Sequence, residues 1–174
     1  EYLGSLSIIV YKISNGANRE KVINFLKMAP CIRLCRSVYA FYQIHTQFDR
    51  ERELIDVNAF YRFLQRFHGD IKIIPRITVE NSESREILLD IVKNRIENET
   101  SRIIKHCREL HAIFKSGRKN PQWIQAAYKK LRKRAIKVRK ISKFYEKWLT
   151  IDFSTSLAKM YSCVYKLKKE LMIP

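Results

Sequence analysis

From residue 84 onward the chain changes from short mixed runs to long helical periods, and this change most limits what it can fold into. The segment SREILLDIVKNRIENETSRIIKHCRELHAIF places Leu88, Ile91, Val92, Ile96, Ile103, Cys107, Leu110 and Phe114 close to a heptad stripe, with a polar interruption at Glu99 and Thr100. KSGRKNP reads as a turn. Asn120 followed by Pro121 is a cap with proline at the first helical position, so a second helix is expected from there to about Leu149. Its apolar side would carry Ile124, Leu131, Ala135, Val138, Tyr145 and Leu149. A last helix, about Ser154 to Leu171, is expected to bury Leu157, Tyr161, Val164, Leu167 and Leu171.

The first 80 residues carry shorter signals. SIIVYKI is a β-branched apolar run; SNGAN breaks it; REKVINFLKM then places Val22, Ile23, Phe25 and Leu26 at helical spacing, with Asn18 as the expected cap and Pro30 as the stop. CIRLCRSVYAFYQI reads as two strands broken near Arg36 and Ser37. After the polar stretch HTQFDRERELID, VNAFYRFLQRFHG puts Phe60, Phe63, Leu64 and Phe67 on one helical face and is expected to stop at Gly69. DIKIIPRITVEN is a strand that Pro75 confines to an edge or a bulge. The order β-α-β-β-α-β is that of a ferredoxin-like domain. The expected fold class is therefore α+β, with a ferredoxin-like domain over residues 1–80 and a basic helical domain over 84–174, its helices near 85–115, 121–149 and 154–171.

Charge points to a partner. The net charge is +18, and residues 115–150 hold 13 Lys or Arg against one acid, Glu146. A field this concentrated attracts polyanions, with nucleic acid first and an anionic membrane surface second. On the second helix Lys130, Lys133, Lys137 and Lys140 form the outer side, flanked by Lys129, Arg132, Arg134, Arg139 and Lys143. Cations on successive turns follow a phosphate backbone and carry no base code by themselves, so this side is read as a phosphate-contacting face. No run of about 18 apolar residues and no secretory pattern occurs, so no membrane segment is expected, and a cytoplasmic protein with reduced thiols is the reading.

Other chemistry finds little footing. Cys31, Cys35, Cys107 and Cys163 form no CxxC pair, and His106, Cys107 and His111 lack the spacing that sets two histidines on one helix face, so no metal site is expected. Neither GxxxxGK[ST] nor GxGxxG occurs among four glycines, and no paired-carboxylate or Ser/His/Asp arrangement stands out. No cofactor and no catalytic residue are expected. Tyr39, Phe41 and Tyr42 could stack bases. Tyr39 and Phe41 share one strand face and Tyr42 takes the other, so one set must be core.

SIIVYKI, the helix opening REKV and then RSVYAFYQ are similar to the Cas-two family of CRISPR adaptation subunits. The whole pattern, through IENETSRIIKHCRELHAIF, the basic helix and WLTIDFSTSLAKMYSCVYKLKKEL, more closely resembles the N-terminal region of the ChrB family of chromate-resistance regulators. The Cas-two resemblance implies protomers paired through their sheets, which would make Tyr39 and Phe41 dimer-face residues and the protein a homodimer. It also implies a metal-binding aspartate at the end of the first strand in the nucleases of that family; this chain has Lys12 there. An ammonium cannot ligate a cation, which favours the ChrB-like reading of a DNA-binding regulator over cutting. The alternatives are a toxin-like RNase and a protein-interaction module.

Overall fold

In a computed structural model, residues 5–42, 55–79 and 82–171 are described. The chain divides into two compact units, 1–92 and 93–174.

The first unit follows the order β1 (Ser5–Lys12), α1 (Gly16–Leu26), β2 (Cys31–Cys35), β3 (Val38–Tyr42), α2 (Val57–Gln65), β4 (Asp70–Thr78). The four strands form one sheet in the order β2-β3-β1-β4, with every neighbouring pair antiparallel. This is the ferredoxin-like arrangement, in which the first and third strands are central. Strand alternation sorts the side chains. Ile9, Tyr11, Tyr39, Phe41 and Cys31 point to one face and pack with Val22 and Leu26 of α1 and Phe60 and Leu64 of α2. Phe60 is the hub: it is fully buried, stacks on Phe41 and Phe25 and meets Tyr11 and Tyr39 edge-on. The same burial raises the pKa of the Tyr11 phenol, helped by the adjacent Tyr39.

Pro75 fits as the spacing required: β4 is an edge strand, and its pairing with β1 slips between Leu6 and Ile8. Two terminators differ from expectation. Asn15, not Asn18, caps α1, its Oδ1 accepting from the Ala17 amide at 2.9 Å. Gly69 is not the residue that reverses the chain after α2; His68 takes the left-handed conformation, with φ 48°. Gly69 answers a different need, because a Cβ there would lie 2.5 Å from the Lys12 carbonyl oxygen.

The second unit contains most of α3 (Ser82–Lys115) together with α4 (Pro121–Leu149) and α5 (Ser154–Glu170), packed as a three-helix bundle. Ile96, Ile103, Cys107 and Leu110 of α3 are buried, and so is Thr100, which needs no outside partner because its hydroxyl donates to the Ile96 and Glu97 carbonyls at 2.9 and 3.0 Å. Phe114, expected in the stripe, is exposed. On α5 the buried set is Leu157, Met160, Val164 and Leu167, with Tyr161 half-buried. Arg95 of α3 ties the bundle across to α4: it donates to the buried Tyr145 hydroxyl at 2.7 Å, lies over the Tyr145 ring and pairs with Glu99. Among the described residues, no helix is long and apolar enough to cross a membrane.

Candidate nucleic-acid interface

Charge separates along the same line as the fold. Residues 93–174 hold 22 Lys or Arg against 6 Asp or Glu, so the helical unit carries nearly all of the net charge of +18. Its densest part is α4.

The helix is well started. The Asn120 side chain accepts from the Trp123 amide at 2.8 Å, and Pro121 occupies the first turn, where no amide is needed. Replacing Asn120 by alanine should therefore destabilise the second unit by about 0.5–2 kcal/mol. Both tryptophans, Trp123 and Trp148, lie in that unit, so urea unfolding followed by tryptophan emission checks it directly. At the other end Thr150 adopts the left-handed conformation and stops the helix after the buried Leu149. Between these ends Ile124, Tyr128, Leu131, Ala135, Val138, Ile141, Tyr145 and Leu149 are buried. At about 100° per residue, their stripe leaves Lys129, Lys130, Lys133, Lys137 and Lys140 on the opposite side. All but Lys140 are exposed, and Lys140 is half-buried.

The flanks behave differently from the midline, and sequence spacing did not separate them. Arg134 reaches towards α3 and donates to His106 Nδ1 at 3.3 Å. Arg139 turns towards α5, where its guanidinium lies over the Tyr161 ring. Arg132 is exposed beside the Tyr128 phenol, whose pKa burial raises and Arg132 lowers in part. Lys143 is paired with Glu146, the only acid on the helix. Glu146 also accepts from the Phe153 amide at 3.0 Å, so its charge serves the α4–α5 joint and lies beyond the end of the lysine midline. The midline from Lys130 to Lys140 rises about 15 Å. Duplex DNA carries one phosphate per about 1.7 Å of axis, so several phosphates pass such a stripe. A pattern that could have shown the split was present: Arg134 and Arg139 sit nearest the buried stripe, where a long side chain bends back onto the neighbouring helices.

The remaining candidates are placed as follows. Tyr39 and Phe41 are 7% and 2% exposed and face α1 and α2 around Phe60. They take the core role, so they are not available as a dimer face; the opposite face is itself buried at Leu6, Ile32 and Ala40. Lys12 ends β1, exposed and opposite Asp70 in the ladder. Among the described residues, no group of three or more His, Cys, Asp or Glu side chains could hold a metal ion. The two histidines near Cys107 are both engaged: His106 by Arg134 and His111 by Glu170 at 2.8 Å. Cys107 is buried against Cys163, and burial pushes its thiol up to about 12, which keeps it protonated and unreactive at neutral pH.

The fold and this surface define an α+β protein with a ferredoxin-like unit and a strongly basic helical bundle. No protein-family model matches the chain, and neither a curated protein nor a solved structure does so.

Proposed function

We propose that the protein binds double-stranded DNA through the outer side of α4, mainly at phosphates, in a regulatory or architectural role. The observation that carries this reading is the exposed midline of Lys129, Lys130, Lys133 and Lys137, which contains no acid and sits on a rigid, capped helix. A rigid element holds the cations at fixed spacing, so binding a duplex costs little ordering entropy in the helix backbone. The tethered Arg134 and Arg139 add positive potential at the edges while bracing the bundle.

Phosphate contacts make affinity nearly independent of sequence. Fluorescence anisotropy with several labelled duplexes of equal length and unrelated sequence should give affinities within about threefold of one another at fixed salt. A strong preference for one sequence would show that base edges are read. No binding to any duplex at 50 mM salt would overturn the reading.

A further inference from the structure

Trp123 is the large aromatic side chain that α4 leaves in solvent: it is 41% exposed although it lies in the first turn of a helix whose other large apolar residues are mostly buried. Lys119 stands over its ring, 5.4 Å from the centroid. The indole also lines a groove of about 310 Å³ between α3 and α4, whose wall includes Leu110 and Leu131 and whose cations are Lys130 and Arg134. Lys130 thus belongs both to this groove and to the lysine midline. An apolar groove with an aromatic plate, opening onto cations spaced along a helix, has the composition that accepts an unstacked base while the strand's phosphates stay on the lysines.

Resting on the reading of α4 as a DNA-binding surface, we infer that Trp123 and the α3–α4 groove form a subsite for an unpaired DNA base, so that the protein favours duplexes ending in a short single-stranded overhang. Charge complementarity and continuity with the lysine midline select this occupant. Glu109, which also lines the groove, gives the site an acceptor for a base amino group. Lys119 is exposed and its contact with the indole is a surface one, so an arriving base displaces it at small cost.

The test compares a blunt duplex with one carrying a three-nucleotide overhang, using the full chain and its Trp123→Ala and Trp123→Phe variants. The wild type should bind the overhang form about tenfold more tightly, with quenching of tryptophan emission that the blunt duplex does not produce. Trp123→Ala should abolish the preference and leave blunt-duplex affinity within about twofold, whereas Trp123→Phe, which keeps an aromatic face, should retain part of it. Equal affinity of the wild type for both forms, without quenching, overturns the subsite and leaves duplex binding standing. Failure to bind either form overturns the DNA reading and the subsite together. Because Trp123 is exposed, neither variant is expected to unfold, and circular dichroism verifies this.

Discussion

Replacing Phe60 by alanine should destabilise the first unit by about 3–5 kcal/mol. The ring is wholly buried and has four aromatic neighbours, Tyr11, Phe25, Tyr39 and Phe41, with centroids 5.6–6.3 Å away. Alanine would remove the apolar transfer energy of the ring and leave a cavity that large, rigid neighbours cannot fill by small shifts. For a unit of this size each kcal/mol corresponds to about 4–8 °C in melting temperature, so the loss should exceed about 12 °C. Urea or thermal unfolding followed by far-ultraviolet circular dichroism measures it. A loss below about 1 kcal/mol would mean that Phe60 does not join α2 to the sheet as described.

The same residue shows what sequence reasoning could and could not reach. Phe60 and Leu64 were legible as a helix face because four large apolar side chains recur at helical spacing. The element succession follows from the alternation of signals, and Pro75, confined by its missing amide to an edge or a bulge, occupies an edge strand beside a slipped pairing. Strand parity placed Tyr39 and Phe41 together, yet parity is symmetric between the two faces. Only the packing of α1 and α2 decides that theirs is the covered one. The two terminators differ from the sequence expectation for local reasons. SNGAN offers Asn15 and Asn18 as caps, and the helix starts early enough to use the first, with Gly16 in its opening turn. At α2 the left-handed residue is His68 and not the following glycine, since histidine, like asparagine, also enters the left-handed region.

In the second unit the long stripes and the turn were readable because few breakers interrupt them. Alignment of the lysines on α4 needed only the helical period. The same period sets Arg134 and Arg139 nearest the buried stripe, but the residue that holds each lies on another helix, 28 and 22 positions distant in sequence, and that pairing is a property of the bundle. The nine cations therefore divide into an outward midline, two braced flanking arginines, an exposed Arg132 beside the Tyr128 phenol and the Glu146-paired Lys143. Charge removal at the exposed Lys129, Lys130 and Lys133 should affect nucleic acid more than stability, since substitutions of exposed side chains seldom cost much folding energy. The braced pair should show the reverse balance: Arg134→Gln and Arg139→Gln weaken the bundle by losing a hydrogen bond and a ring contact, beyond any loss of phosphate attraction.

DNA binding by the outer side of α4 is tested by duplex affinity titrated across salt concentration for the wild type and for the triple variant Lys133→Gln, Lys137→Gln, Lys140→Gln. Each phosphate neutralised by a cation releases counterions and contributes about 0.9 to the slope of log affinity against log salt. Removing three cations should flatten that slope by about 2 to 3 and weaken binding most at low salt, while the urea midpoint stays close to that of the wild type. An unchanged slope in a folded triple variant would place any bound DNA on a surface other than the lysine midline of α4.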